Sequence, residues 1–518
     1  MSEQPQNEIS GEKKRLRITQ TAVLMACLTI GSKLIGFVRE LVLANAYGTS
    51  MVMDAYDMAQ SIPGIVLGGI LGAIGTAYTP IFSELTEKND AEAGRRFTNQ
   101  IATFTIFLAS VVAILGIIFS DQLVQLFAGG FEPEKAALTS FYLKIVFIFS
   151  AVTSVLNISE AYLNYYDRFL QPILSGYLNS IALIAVAAFS AHTDHHFLVF
   201  GLLIGAALQL GGNLIAAGRI GYRYRIDWEV GSAIRRVFLL ALPVFIGSSV
   251  SSINGMVDKM VAATLPDGSI AALGYAARIC VVLILLTGSI ISTIFYPKVT
   301  KAGNLGDWEG FSTATKKSFT VDLMLTLPIS MGAVVFADEV IQVIFERGAF
   351  DISSTLLTAG AFRFYSFRIV FDALTILLTS VFNAVQEMKT PVICGICGIA
   401  VNITLDLLLV RPMQHEGLAL ASSVAALVQF AILMWFMKKK HAQWKIFPSL
   451  RKTSLIVMAT VLAVLAAVFV YRIAALVWMP RMAYLGLAVI AAIVIYLLLL
   501  KLFRIEEVEI LKELVGRG

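Results

Sequence analysis

The chain has 518 residues, of which 58% are hydrophobic and only 14% are charged, and its formal net charge is +5. Soluble domains carry roughly a quarter charged residues, so this composition excludes an ordinary soluble domain. The mean hydropathy of +0.79 indicates an integral membrane protein.

Apolar runs of about twenty residues, long enough to cross a bilayer as helix, predict an all-α polytopic membrane protein with about fourteen transmembrane helices. Their centres lie near residues 33, 69, 108, 150, 180, 208, 249, 284, 327, 369, 400, 427, 463 and 492. The polar start and the basic cluster from Lys13 could mimic a signal peptide. Because Lys33 interrupts the first apolar run, we expect that span to remain uncleaved.

Lysine and arginine are distributed unevenly along these spans. If the amino terminus is cytoplasmic, 28 of the 40 lie in cytoplasmic segments, 5 in the opposite loops and 7 within spans. This asymmetry predicts that both termini are cytoplasmic. No basic face with interleaved aromatic residues indicates nucleic-acid binding.

The two halves of the chain resemble each other in three segments that occur in the same order. The segments that begin at Ile74, Asp121 and Asn164 match those that begin at Ile291, Asp338 and Asn383. Six spans in each half predict two parallel six-helix repeats, with the last two spans outside the repeat as a two-helix carboxyl-terminal tail. Two such bundles rocking about a central cavity are typical of a secondary transporter.

The predicted organisation has six parts. They are a cytoplasmic amino-terminal segment (1–17), an N-lobe of spans one to six (18–225), a C-lobe of spans seven to twelve (226–437), a basic cytoplasmic linker (438–452), spans thirteen and fourteen (453–503) and a cytoplasmic tail (504–518).

Charged residues interrupt the first span, although an ionisable group in the bilayer centre costs several kcal/mol unless it meets a partner or water. At 100° per residue, Lys33 and Glu40 lie within about 20° of each other, two turns apart, and could neutralise one another in part. Arg39 points about 120° away and needs another partner. For a single charge, snorkelling or a structural ion pair would suffice as an explanation.

The second half carries further charges in its opening helices. Span seven has two adjacent polar stripes, Ser251–Asn254–Asp258 and Ser248–Ser252–Lys259, and span eight carries Arg278. The opening helices of the two halves are expected to face each other across the cavity, and their cations predict an anionic substrate such as a phosphate. The candidate substrate-binding residues are Lys33, Arg39, Glu40, Asp54, Lys259 and Arg278.

A second polar group lies in span eleven. Asn402 and Asp406 are spaced i, i+4 and share a face, and with Asp258 they offer oxygen ligands for a small hard cation or a protonatable carboxylate. Hydrogen bonding between helices explains the same residues equally well. Arg368 and Asp372 have the same spacing in span ten and are expected to form a local structural pair.

Several patterns point away from catalysis and structural metals. The four cysteines all lie within predicted spans, so no disulfide framework is expected, and "CGIC" indicates helix packing. The histidines of "HTDHH", His192 to His196, are expected to form a solvated turn. No P-loop, serine–histidine or paired-carboxylate constellation supports an enzyme.

Five segments carry a resemblance to a known family: "SKLIGFVRELVLANAYGTSMVMDAYDMAQSIP", "SINGMVDKMVAA", "GYAARI", "FERGAFD" and "KTPV". They resemble the MviN/MurJ family of lipid II flippases, within the multidrug/oligosaccharidyl-lipid/polysaccharide exporter superfamily. The resemblance implies an alternating-access flippase of the bacterial inner membrane that moves an undecaprenyl-pyrophosphate-linked saccharide, with the peptidoglycan precursor lipid II expected. It also implies that helices one, two, seven and eight line a cationic cavity and that the last two helices form a groove for the polyprenyl tail.

The resemblance also assigns residues. Lys33, Arg39 and Arg278 match charged cavity positions, with Lys33 and Lys259 in place of arginines. A sodium site maps onto Asp258, Asn402, Asp406 and Ser422. Either Na⁺ or H⁺ is expected as coupling ion, with no other cofactor. Membrane lipids and cell-wall synthesis proteins are the candidate partners.

The second span departs from the family pattern. Pro63 is followed by "GIVLGGILGAIGTAY", where the family has an Arg-Arg pair and then Glu-Gly-Ala. Two alternatives therefore stay open: a flippase for another lipid-linked polysaccharide precursor, and a non-transporting scaffold derived from a flippase. A multidrug exporter would need an acid-rich cavity, and a membrane glycosyltransferase would need a large outward loop with catalytic acids.

Overall fold

The computed structural model describes residues 4–65, 69–89, 91–229, 231–290, 295–440, 444, 446–476 and 480–509. This part of the chain is built from α-helices, as expected for a chain that must satisfy its backbone hydrogen bonds inside lipid. By internal contacts it divides into a first unit, Met1–Met256, and a second unit, Val257–Gly518. The predicted lobe boundaries remain predictions.

The helices of the first half follow in chain order: α1 (Gln4–Tyr47), α2 (Met51–Pro63), α3 (Gly69–Asn89), α4 (Ala91–Ile118), α5 (Ser120–Phe127), α6 (Pro133–Tyr165), α7 (Leu170–His192) and α8 (Phe200–Arg219). Those of the second half are α9 (Ser232–Ala262), α10 (Ser269–Ile290), α11 (Tyr296–Asn304), α12 (Trp308–Val335), α13 (Ala337–Phe345), α14 (Ile352–Tyr365), α15 (Arg368–Ala384) and α16 (Lys389–Lys440). The carboxyl-terminal pair is α17 (Leu450–Ala474) and α18 (Arg481–Leu502).

Local sequence signals set several helix ends. The Ser50 side chain accepts a hydrogen bond from the Met53 main-chain nitrogen and begins α2. Asp307 and Asp351 cap α12 and α14 in the same way, each through a 2.9 Å bond from a main-chain amide. These side chains satisfy amide groups that the first turn of a helix leaves without partners. Gly48, with φ of 56°, ends α1 in the left-handed conformation that glycine tolerates best.

Nine helices of the described residues are long and apolar enough to cross a membrane, or ten if the bent pair α14 and α15 is one span. Each of the fourteen predicted span centres falls within a helix. The polytopic helical class is confirmed, and the count of fourteen remains a prediction. Helix α16 contains the two predicted spans that are centred near residues 400 and 427. Gln414, with φ of 52° and ψ of −134°, breaks the helix between them, just after Pro412.

The break in α16 brings its two arms close together. A Cβ on Gly417 would lie 2.5 Å from the main-chain oxygen of Leu409, so only glycine fits without a shift. The imidazole of His415 lies 3.0 Å from the main-chain oxygen of Leu357, which ties the break to α14.

The carboxyl-terminal hairpin of α17 and α18 belongs to the second unit. It packs on α12 through an apolar cluster that includes Met324, Ile456 and Leu500. Tyr496 of α18 donates a 2.9 Å hydrogen bond to the main-chain oxygen of Met324. The described cysteines are free, and Cys394 of "CGIC" packs in the core of the second unit, as expected for a packing residue.

Candidate functional site

The charges of the first span lie on α1, but their pairing differs from the expected one. Arg39 donates a 2.9 Å hydrogen bond from Nη2 to Oε1 of the adjacent Glu40, whereas Lys33 is exposed. Within the described residues, Glu40 therefore pairs with Arg39 and not with Lys33. The long arginine side chain reaches the carboxylate of the next residue, which a helical-wheel angle cannot anticipate. The Nε of Arg39 is buried and has no hydrogen-bond partner among the described residues, which leaves a donor for an anion.

Asp54 lies in a buried ion pair that sequence reasoning missed. Its Oδ2 accepts a 2.7 Å bond from Nζ of Lys135, and the two side chains are 1% and 4% exposed. Lys135 also lies 4.1 Å from the centroid of the Phe131 ring. Lys135 belongs to the first turn of α6, which packs against α2. Asp54 therefore joins α2 to α6, in addition to any role towards substrate.

The predicted ion-binding residues of the second unit do come together. Nδ2 of Asn402 donates to Asp258 Oδ1 at 2.9 Å and to Asp406 Oδ2 at 2.7 Å. Asn402 and Asp406 are buried, at 3% and 0% exposure, whereas Asp258 is partly exposed. The bond from Asn402 on α16 to Asp258 on α9 is the hydrogen bond between helices that the sequence offered as one of two explanations for these residues.

The same cluster also fits a cation. Oδ1 of Asp406 is buried and has no hydrogen-bond partner among the described residues. Two carboxylates and one amide supply the oxygen ligands that small hard cations prefer. Turning the Asn402 amide over would direct its oxygen instead of its nitrogen at the carboxylates and at a cation between them. Ser422, the fourth expected ligand, is buried on the second arm of α16.

The remaining cations of the opening helices also lie in the second unit. Lys259 follows Asp258 on α9, and Arg278 of α10 lies 5.7 Å from the centroid of the Tyr275 ring one turn earlier. The polar stripes of span seven can be followed only in part, because the side chains of Ser248 and Ser251 lie outside the described ones.

Two smaller expectations can be compared with the structure. Arg368 and Asp372 form the expected local pair, with a 2.8 Å bond from Nε to Oδ2. The "HTDHH" segment forms a turn in which Asp194 caps a short 3₁₀ helix, and its Oδ1 lies 2.7 Å from Nδ1 of His196. The ligand atoms of Asp194, His195 and His196 lie within 4.8 Å of one another, and the cap and its hydrogen bonds account for that proximity.

Two sequence features cannot be followed. The glycine-rich stretch after Pro63 includes residues 66–68, which lie outside the described residues, as do the side chains up to residue 73. The repeat segment that begins at Ile291 has its first four residues, 291–294, outside them as well.

Nine described helices that are long and apolar enough to cross a membrane, together with the arginines and carboxylates that the site helices carry, are typical of a polytopic membrane carrier. A family model described as "Lipid II flippase MurJ" matches residues 43–502. The chain therefore belongs to the MurJ family of lipid II flippases, which are transporters of the inner membrane.

Curated relatives and solved structures agree with this assignment. A probable lipid II flippase of Thermotoga maritima is 28% identical and covers 95% of this chain and 97% of its own. One of Rhizobium meliloti is 28% identical over 79% of each chain. The solved structure of a lipid II flippase in an inward closed conformation covers 93% of this chain and 98% of its own, with a TM-score of 0.78 and 23% identity. An inward-facing multidrug resistance transporter of the MOP superfamily gives a TM-score of 0.66 at 13% identity over 81% of this chain and 96% of its own. The last two comparisons concern the fold.

Proposed function

We propose that this chain is an alternating-access flippase that moves lipid II from the inner to the outer leaflet of the bacterial cytoplasmic membrane. The family match over most of the chain carries this proposal, and the arginines inside the membrane-crossing helices supply its chemistry. The chain acts as a transporter and not as an enzyme. Both termini face the cytoplasm in this proposal, because most lysines and arginines then lie on the cytoplasmic side.

The headgroup of a lipid-linked saccharide carries a pyrophosphate that cannot cross dry hydrocarbon without a large desolvation cost. Arg39 and Arg278 offer planar guanidinium groups that bind phosphate oxygens in a bidentate manner, and Lys33 and Lys259 add point charges. Glu40 already accepts one hydrogen bond from Arg39. It therefore orients the guanidinium and lowers its net attraction, so that the headgroup is bound and later released.

Ion coupling belongs to the cluster of Asp258, Asn402 and Asp406. A Na⁺ ion bound there would replace the hydrogen bonds that Asn402 now donates to both carboxylates. That exchange would alter the link between α9 and the first arm of α16. Each charge that crosses the membrane field during such a step is worth about 2.3 kcal/mol per 100 mV.

Because the residues after Pro63 depart from the family pattern, a second class of substrate is also a candidate. A carrier that lacks the Arg-Arg pair and the Glu-Gly-Ala sequence has fewer contacts for the headgroup. Another lipid-linked polysaccharide precursor would use the same pyrophosphate-binding cations. A scaffold without transport would use none of them. Cell-wall synthesis proteins are candidate partners in each case.

Complementation tests the proposal. The chain is expressed in bacteria depleted of their own lipid II flippase, and its membrane insertion is verified. We expect rescue by the wild type and loss of rescue by Arg39→Ala and Arg278→Ala. Failure of the well-inserted wild type would reject lipid II as substrate. Rescue by both alanine variants would reject the role of these arginines.

A further inference from the structure

Asp322 is a carboxylate that the proposed mechanism does not use. It lies near the middle of α12, 14 residues after Trp308 and 13 before Val335, or about 20 Å from either end at 1.5 Å per residue. Its side chain is fully buried, and neither carboxylate oxygen has a hydrogen-bond partner in the described part of the chain. An intramembrane carboxyl group in this situation requires an explanation.

The neighbours on its own helix do not supply a donor. Thr315 and Thr326 lie within about 40° of Asp322 on the same face of α12 and are equally buried. The Thr326 hydroxyl donates a 2.7 Å bond to the main-chain oxygen of Asp322 and not to its carboxylate. The Thr315 hydroxyl is buried and has no partner among the described residues. The face is therefore polar but shielded from solvent.

The helices packed against α12 do not supply a charge either. These helices are α10, α11, α13, α14, α15 and α17, together with α16 and α18, whose Phe430 and Tyr496 contact Phe319 and Met324 of α12. In the described residues, no ion pair or hydrogen bond reaches the Asp322 carboxylate. The ionisable groups of these helices are at least partly exposed or contact other residues. The exposed lysines include Lys298 and Lys301 of α11 and Lys501 of α18; the paired groups are Arg363 with Asp338, Arg368 with Asp372, Lys452 with Glu507, Lys440 with Glu387 and Asp406 with Asn402, and Arg278 lies over the Tyr275 ring.

An ionised carboxylate without a donor, a cation or water costs several kcal/mol inside a protein, and the group takes up a proton instead. Packing alone does not require an acid at this position. Asp338 in the second half matches Asp121 in the first, and the same offset places Thr105 opposite Asp322. Thr105 is buried on α4, so the equivalent helix of the first unit packs around a neutral side chain.

We propose that Asp322 is a proton-binding site, separate from the cluster of Asp258, Asn402 and Asp406. Asp322 carries a proton in the conformation described here and exchanges it with water only when α12 is repacked and its polar face becomes hydrated. The proton stabilises the conformation in which Asp322 is buried, and that stabilisation is lost as the pH rises. The link to a transport cycle rests on the proposed function; the bound proton does not.

Infrared spectroscopy tests the bound proton directly. Difference spectra of the purified full chain, wild type minus Asp322→Asn, are recorded from about pH 5 to about pH 9, which extends well above the ordinary range of carboxyl groups. We expect a carboxylic-acid C=O band that persists above that range and shifts only slowly in D₂O. Asp338→Asn, which removes an exposed carboxylate, is the matched control and should leave the band in place. Absence of the band at neutral pH would overturn the proposal.

Flipping of fluorescent lipid II in proteoliposomes tests the coupling. The ratio of the wild-type rate to the Asp322→Asn rate should change with pH, by up to about tenfold per pH unit for one titrating proton. Asp338→Asn should keep the wild-type profile. A ratio of the two flipping rates that does not change with pH would overturn the coupling between the Asp322 proton and transport. Absence of flipping by a wild type that shows the acid band would reject lipid II transport and leave the proton site standing.

If Asp322→Asn does not fold, Asp322→Thr replaces it, because threonine occupies the equivalent position in the first unit. Size-exclusion chromatography in detergent identifies folded protein before either measurement.

Discussion

The two halves of the sequence repeat begin with equivalent helices, α1 and α9, that use their charges in opposite ways. Gly36 and Gly255 align the motifs of α1 and α9, and the alignment places Arg39–Glu40 opposite Asp258–Lys259. The order of charge is reversed. In the first unit the charges pair along their own helix, whereas in the second unit the carboxylate reaches Asn402 on another helix. At this aligned position the first half of the sequence thus carries an arginine that pairs within its own helix. The second half carries an aspartate that belongs to the cluster with Asn402 and Asp406.

The segments that follow α8 and α16, which we call the exit segments of the two sequence halves, also differ in the contacts that hold them. After α8, residues 221–229 lie on α4 through polar bonds, including the 3.2 Å bond from Gln100 Nε2 to Asp227 Oδ2. After α16, Trp444 stacks on Trp308 of α12 with ring centroids 4.9 Å apart. Helices α4 and α12 are equivalent in the repeat. One exit segment is therefore held by hydrogen bonds and the other by apolar burial.

The largest expected effect on flipping concerns Arg39 and Glu40, whose order of charge is the reverse of that in Asp258 and Lys259. Arg39→Ala should abolish flipping, because it removes the guanidinium and, with it, the hydrogen bond that Arg39 donates to the negative charge of Glu40. The double variant Arg39→Ala with Glu40→Gln should recover part of the loss, since it removes that charge. Flipping rates in proteoliposomes measure both. Equal rates for Arg39→Ala and wild type would mean that the first unit does not use its cation for the headgroup.

A large effect on stability is expected at the pair of Asp54 and Lys135. Removing one partner of a buried ion pair costs about 3–5 kcal/mol, because the other charge stays buried without compensation. Lys135→Met should therefore lower the melting temperature strongly, and Asp54→Asn with Lys135→Met should restore much of it.

The matched control is the exposed pair of Arg363 and Asp338. An exposed pair contributes about 0–1 kcal/mol, so Arg363→Met should have little effect. Thermal unfolding in detergent distinguishes the two pairs. Similar shifts for Lys135→Met and Arg363→Met would contradict the buried pair.

An intermediate effect on the melting temperature is expected from sodium binding at the cluster of Asp258, Asn402 and Asp406. A ligand that binds only the folded protein adds about 2.7 kcal/mol at one hundred times its Kd. NaCl should therefore raise the melting temperature of the wild type more than choline chloride does at equal ionic strength. Asp406→Asn should abolish the difference, whereas Asp372→Asn, next to Arg368, should retain it. A sodium response that persists in Asp406→Asn would place the ion elsewhere.

The smallest effect is expected at the polar exit segment. The main-chain amide of Glu229, together with Arg96 and Gln100, holds the pKa of Asp227 below its usual range. A carboxyl group with a lowered pKa stabilises the bound segment above its ordinary pKa and loses this contribution as the pH falls through the lowered value. Hydrogen exchange of residues 221–229, corrected for the intrinsic pH dependence of amide exchange, should rise modestly on acidification. In Arg96→Ala it should already be raised at neutral pH.

The apolar exit segment provides the contrast for this experiment. Trp444→Ala should loosen the segment after α16, because it removes the ring that stacks on Trp308. A pH response confined to residues 221–229 would sharpen the distinction between the two exits. Equal pH responses in both would remove it.

Sequence reasoning located most of the elements and part of the site. The cluster of Asp258, Asn402 and Asp406 was predictable, because i, i+4 spacing fixes one pair, a polar stripe of span seven supplied Asp258, and the resemblance assigned a sodium site to the same residues. The pair of Asp54 and Lys135 was not, because its members are 81 positions apart. The isolation of Asp322 was also not predictable, since an acid in an apolar run looks the same whether or not a distant helix supplies a donor.

The sequence by itself determined that the chain crosses the membrane as helices, where those helices lie and that they form two related halves. These properties depend on apolar length and on local similarity, which are present in the order of the residues. Only the tertiary structure decided which charges are paired, which are shared between helices and which are buried alone. That outcome depends on side chains that meet only when distant helices pack, because the free energy of a buried charge is set by its immediate neighbours.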